Sequence, residues 1–203
     1  MIRPAGPRLP DTPAPRFIAA RVVLGDATVA VNFVKAGAID LLVTYLGNQL
    51  MVGRDVLEEL RRLVTMRFPP LEAFVRWVEA DETARLAPLS PQGILKAEDL
   101  ARALRLPTDH PRTHIGECAT VVIAEEMTAT GVVPLVCMDD RDGKDLARRA
   151  RLNVADSAEL VIEMVMEGAI TEAIGDRIWR RGLFPDQREA WPGFRVRLGR
   201  TGK

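Results

Sequence analysis

Two short apolar runs in this chain stop on carboxylates: Arg21–Gly25, with Val22-Val23-Leu24 at its centre, ends on Asp26, and Val133–Met138 ends on the pair Asp139-Asp140. Short apolar runs bounded by turn signals suit strands buried on both faces. Such strands need helices over both sides of the sheet, and amphipathic stretches lie between these runs. The pattern therefore predicts a parallel α/β sheet with helices on both faces. In an open sheet of this kind the carboxyl ends of the strands border the crevice where ligands bind, so both acids project toward one place.

Between the two runs, Ile39, Leu42, Val43 and Leu46 fall on one face of a helix over Ala38–Leu46, which Gly47-Asn48 ends. The stretch Val29–Val34 suits either a strand or a helix. Gln49–Val52 is strand-like, and Asp55 is placed to cap a helix through Leu63 with Val56, Leu60 and Leu63 inward. Pro69-Pro70 opens a helix over Leu71–Val78. The charged stretch Glu79–Arg85, followed by Pro88 and Pro91, reads as a loop. Weak helical periodicity covers Ile94–Leu104, and a long helix covers Ile115–Thr130 before Gly131. After the second acid-ended run come a helix over Gly143–Ala150, a strand over Leu152–Ala155, and helices over Ser157–Glu167 and Glu172–Arg180.

A chain of 203 residues suits one domain with its own core. The reading divides it into a proline-rich leader over 1–16, an α/β domain over 17–190 and a basic tail over 191–203. Lys+Arg and Asp+Glu stand at 28 each, so any polyanion must be met by a local basic patch and not by net charge. No run is long and apolar enough to span a membrane, and the proline-dense start lacks the apolar core of a signal peptide, which predicts a cytoplasmic protein. Cys118 and Cys137 sit in apolar surroundings at a spacing unlike any zinc motif, and are expected to be buried, reduced thiols.

The remaining acids decide the chemistry. Glu58-Glu59 lies on a short amphipathic helix; Glu59, beside the inward-facing Leu60, is better placed for a cleft margin, with Glu58 the alternative. Glu117 opens the long helix, where the helix dipole alone would favour an acid. His114 just ahead of it is read as a polar loop residue and not as a ligand. Asp26 and the group Asp139-Asp140-Arg141-Asp142 each suit helix caps, yet a carboxylate can cap with one oxygen and bind a cation with the other. Acids gathered in one cleft repel, and a divalent cation relieves them; carboxylate donors suit Mg²⁺ or Mn²⁺. Lys144 and Arg148 follow at once, where a phosphodiester backbone would need cations.

Gly25-Asp26-Ala-Thr-Val-Ala-Val-Asn32, Val56-Leu-Glu-Glu59-Leu, His114-Ile-Gly-Glu117 and Leu135-Val-Cys-Met-Asp139-Asp140-Arg-Asp-Gly143-Lys144, followed by Asn153-Val-Ala-Asp156-Ser157, together resemble the PIN-domain family over roughly Val22 to Leu183. Members of this family are metal-dependent ribonucleases, many of them toxins of bacterial and archaeal toxin–antitoxin pairs. The resemblance implies a single Rossmann-like PIN-type α/β domain. It also implies a catalytic set of Asp26, Glu59, Glu117 and Asp139, with Asp26, Glu117 and Asp139 holding Mg²⁺ or Mn²⁺ beside Asp140 and Asp142. Asn32 and Ser157 would be polar support, and Lys144 and Arg148 would meet RNA. The chain departs from the family in placing Ala155-Asp156-Ser157 where a Gly-Thr or Gly-Ser is usual, and in its longer, charged Thr65–Pro91.

The implied partners are RNA as substrate, an antitoxin protein and a second copy of the chain, with Ala38–Leu46 and Leu71–Val78 as packing surfaces; ordinary core is the competing role for both helices. A PIN-like module that binds nucleic acid or protein without cutting is the alternative function. A phospho-acceptor receiver domain fits poorly, because its acid pair should follow the first strand. Neither a dinucleotide-binding glycine pattern nor a P-loop occurs.

Overall fold

The computed structural model describes residues 17, 19–66, 68–110 and 112–183. The proline-rich leader, Trp191 and the basic tail lie outside the described residues. Five parallel strands, β1 (Val23–Gly25), β2 (Leu50–Gly53), β3 (Leu86–Ala87), β4 (Leu135–Cys137) and β5 (Asn153–Ala155), form one sheet in the order β3-β2-β1-β4-β5. The chain therefore builds outward from β1 on one side and then crosses to the other. This reversal places a topological switch point between β1 and β4, where the crevice of an open α/β sheet forms.

The helices are α1 (Ala27–Lys35), α2 (Ile39–Leu46), α3 (Arg54–Met66), α4 (Glu72–Glu79), α5 (Glu82–Arg85), α6 (Pro91–Leu104), α7 (Ile115–Ala129), α8 (Arg141–Arg149), α9 (Ser157–Met166) and α10 (Glu172–Ile178), with a closing turn over Trp179–Leu183. Alternation along the strands sends side chains to opposite faces. Val23, Leu50, Val52, Leu135, Cys137 and Ala155 join the apolar sides of α1 to α4, α9 and α10. Leu24, Ala87 and Val136 meet α7 and α8 on the other face. Helices thus cover both faces, as the acid-ended runs predict.

α7 is apolar on almost every side because it is a middle layer. Val121, Ile123 and Ala124 face the sheet, while Cys118, Ala119 and Val122 face α6, which presents Ala97 and Ala101. Gly53 at the end of β2 keeps that layer close, since a Cβ there would stand 2.9 Å from Ile123 Cδ1. Both cysteines are free and buried. Burial pushes the Cys118 thiol up to about 12, and the Cys137 thiol also lies well above the ordinary range.

Three local expectations are corrected by the fold. The stretch Glu79–Arg85 is not all loop: Asp81 caps the short α5 by accepting from Ala84 N, and Leu86–Ala87 then pairs with Val52–Gly53 as the edge strand β3. α6 begins at Pro91, with Ser90 capping it through Gly93 N, so Pro91 is a first-turn proline. α8 begins at Arg141 and not at Gly143, because Asp140 is its N-cap. The ambiguous Val29–Val34 lies within helix α1. The buried residues of α2 and α4, Leu42, Leu46, Phe74, Val75 and Val78, belong to the chain's own core. Among the described residues no helix is long and apolar enough to cross a membrane.

Candidate metal centre

The strand register sets the site. Gly25 pairs with Cys137 and Cys137 with Ala155, so the residues just beyond each strand end share one edge of the sheet. Asp26 N donates to the Cys137 carbonyl at 3.1 Å, which fixes the turn out of β1. Asp26 stands at the N-cap position of α1 but makes no capping hydrogen bond with its side chain. It is only 3% exposed, which for a carboxylate demands a reason beyond packing. Its Oδ2 accepts from the Thr28 hydroxyl at 2.7 Å.

Burial pushes the Asp26 carboxyl up to about 6, with the charge of Glu117 adding to the rise and the Thr28 hydrogen bond opposing it. Glu59 on α3 is also raised, first by burial and then by the Asp26 charge, against the opposing Arg62. Glu117, in the first turn of α7, is raised by burial and further by Glu59 and Asp140, while His114 opposes. Each of these three acids feels another, so they form one electrostatic cluster. Gly116 allows the approach of α3 and α7: a Cβ there would stand 3.1 Å from Glu59 Oε2. The choice between the two glutamates of α3 falls to tertiary placement, since Glu58 is exposed and pairs with Arg112 at 3.2 Å.

Asp139, two residues beyond β4, is held differently. Its Oδ2 accepts from Asn32 Nδ2 at 2.7 Å and from Ser157 Oγ at 2.6 Å, and its Oδ1 accepts from Ser157 N at 2.9 Å. Asn32 comes from α1 and Ser157 from the start of α9, so one carboxylate ties together the helices that follow β1 and β5. Three donors fix its orientation in the way outer-shell partners fix a ligating carboxylate. Ser157→Ala is expected to leave the fold intact and, if Asp139 ligates a divalent cation, to lower the affinity for that cation by about 10–100-fold, the usual scale for such partners; a melting curve beside a metal titration would check it.

Asp140 accepts from Gly143 N through Oδ1 at 2.8 Å, and one of its oxygens lies with donor atoms of His114 and Glu117 in a group in which all are within 4.8 Å of one another. His114, read from the sequence as a loop residue, is the member that this reading missed. Its signal was local: it stands at the N-cap position of α7 in the left-handed region, φ 66°, three residues before Glu117. Asp142 is not brought into that group; it is exposed in the first turn of α8, because the helix starts early enough to carry it outward. Lys144 pairs with Asp156 at 3.3 Å, and the exposed Arg148 pairs with Asp145 at 3.2 Å.

A family model described as a PIN domain matches residues 22–178. The chain belongs to the PIN-domain family. The match covers every element from β1 to α10, and with it each of the acids described above. No curated protein and no solved structure matches the chain. PIN domains are a nuclease-type family whose members generally use divalent metals and bind nucleic acid. The acid cluster at the strand ends of this PIN domain is its candidate centre.

Proposed function

We propose that this PIN domain is a Mg²⁺- or Mn²⁺-dependent endoribonuclease, the toxin of a toxin–antitoxin pair. The observation that carries the reading is Asp26: a carboxylate 3% exposed, pushed up to about 6, facing the raised acids Glu59 and Glu117 beside the switch point. Such a group is poorly stabilised by the protein alone, and the oxygen donors around it fit a hard divalent cation.

Asp26, Glu117 and Asp139 are the residues that would hold the cation, with Asp140 beside them and Glu59 orienting water. A bound divalent cation supplies a nucleophilic water at neutral pH and charge stabilisation on the phosphoryl oxygens. Asn32 and Ser157 hold the Asp139 carboxylate in one orientation by donating to it. Glu59, raised by burial and by the Asp26 charge, sits beside Asp26, where it could orient a water. Exposed Arg148 offers contact to a phosphodiester backbone, and Lys144 can do so by leaving its partly exposed pair with Asp156. In this reading the antitoxin and a second copy of the chain are the protein partners.

The test is incubation of a mixed structured and single-stranded RNA panel with Mg²⁺, Mn²⁺ or EDTA, beside Asp139→Asn. Cutting that needs metal and disappears in the variant is the expected result. Intact RNA throughout, from folded protein, would instead favour a PIN module that binds without cutting.

A further inference from the structure

His114, Glu117 and Asp140 offer one imidazole nitrogen and two carboxylate oxygens within 4.8 Å of one another. Two ligands on opposite sides of one cation stand about 4–5 Å apart, twice a bond of about 2.0–2.6 Å, so three such atoms can close on a single ion with small side-chain movements. The donors are also free to do so. Among the described residues, neither the His114 ring nor the Glu117 carboxylate has a hydrogen bond to another residue, and Asp140 uses only Oδ1 to cap α8. Their approach depends on Gly143, where a Cβ would stand 3.0 Å from Met138 Sδ and 3.3 Å from Glu117 Cβ. Without that glycine the first turn of α8, and Asp140 with it, would be held away from α7.

We propose that His114, Glu117 and Asp140 form a mixed imidazole–carboxylate cation site at the rim of the acid cluster, which selects a transition-metal dication over Mg²⁺. The inference rests on the reading of the cluster as a cation-dependent centre, because Glu117 belongs to both. Mg²⁺ is a hard ion that keeps oxygen ligands and several of its own waters, and gains little from an imidazole. First-row transition-metal dications accept imidazole, with Mn²⁺ at the weak end of the series. Mn²⁺ is therefore a stringent probe: a preference seen with it extends to the stronger members.

The experiment binds Mn²⁺ to the metal-free, full-length protein, with Mg²⁺ as competitor, and reads the bound ion by pulsed electron paramagnetic resonance. Direct coupling to a nitrogen-14 nucleus is the signature of a coordinated imidazole. The chain has two histidines, so His110→Asn serves as control. His114→Asn is the test variant, since asparagine tolerates the left-handed backbone found there, φ 66°. Expected are Mn²⁺ binding at least about tenfold tighter than Mg²⁺, nitrogen coupling that survives His110→Asn, and loss of both the coupling and about tenfold of Mn²⁺ affinity in His114→Asn, the scale of one mispositioned partner. Mg²⁺ affinity should stay within about twofold, because a hard ion drew little from the ring.

Bound Mn²⁺ without nitrogen coupling in the unsubstituted protein overturns the site, whether or not the variant folds. So does coupling that persists in His114→Asn, or a Mn²⁺/Mg²⁺ ratio that the substitution leaves unchanged. The two readings fail separately. A nitrogen signature in a protein that leaves all RNA intact removes the nuclease and keeps the site, whereas metal-dependent cutting with no signature removes the site and keeps the nuclease.

Discussion

Asp26→Asn is expected to abolish metal-dependent cleavage while raising the melting temperature of the metal-free protein. The loss should exceed about a hundredfold, the upper range for partners that only orient a metal ligand, because Asp26 would touch the ion itself. The gain in stability has a separate cause. A carboxyl of ordinary value 3.8 that is pushed up to about 6 in the fold disfavours the folded state by about 3 kcal/mol once ionised in both states. Asparagine carries no charge and can still accept from the Thr28 hydroxyl. For a chain of this size the relief corresponds to a rise on the order of 5–10 °C.

The pH dependence gives the sign. Below 3.8 the Asp26 carboxyl is protonated in both the folded and the unfolded chain, and contributes nothing. Between 3.8 and about 6 the unfolded chain ionises first, so stability falls as pH rises; above about 6 the full penalty is present. The difference in melting temperature between Asp26→Asn and the unsubstituted protein should therefore be small at pH 4 and reach its plateau near pH 7. Adding Mn²⁺ at pH 7 should narrow the gap, because the ion stabilises the protein that keeps the carboxylate more than the variant. A gap of the same size at pH 4 and pH 7 would show that the buried charge is not its source.

Gly182→Ala should be the most damaging substitution remote from the acids. Gly182 lies in the turn that follows α10, and a Cβ there would fall well inside contact distance of the Asn32 carbonyl oxygen and 3.1 Å from its carbonyl carbon. The obstacle is helix backbone, which cannot swing aside as a side chain tip could. Overpacking of a filled site costs about 1–3 kcal/mol, and a clash with backbone belongs at or above the top of that range. Because the Asn32 side chain donates to Asp139 at 2.7 Å, displacing α1 also turns the carboxylate that Asn32 holds. The expected result is a melting temperature lower by several degrees together with reduced cleavage. A variant that melts unchanged would mean that the turn simply moves off α1 without consequence.

These two residues show opposite forms of the same compromise. Asp26 is a local source of instability that a bound cation would relieve, and such strain concentrates where a protein acts. Gly182 is the reverse case, a residue without chemistry of its own whose missing side chain lets α1 sit where Asn32 can reach Asp139.

Some of this was legible in the chain alone, and for identifiable reasons. Strands buried on both faces must be continuous apolar runs, so β1 and β4 could be read from Val22-Val23-Leu24 and Val133–Met138, along with the acids that end them. The parallel sheet follows from those runs and the helices between them, and the PIN family from the resemblance of the motifs that carry the acids. β3 could not be read, since a two-residue strand has no period and exists only by pairing with Val52–Gly53. The sequence placed Glu58 and Glu59 side by side; that Glu59 lies at Gly116 and Glu58 at Arg112 depends on the packing of α3 against α7. Asn32, Asp139 and Ser157 lie on three separate segments, and only folding shows that two of them hold the third. His114 joins Glu117 and Asp140 because α8 begins at Arg141 and Gly143 lets it approach. The sequence by itself determined the buried strands and the acids that end them, because charge and apolar run length are properties of short segments; the tertiary structure decided which of the acids lie together, because that depends on contacts between segments far apart in the chain.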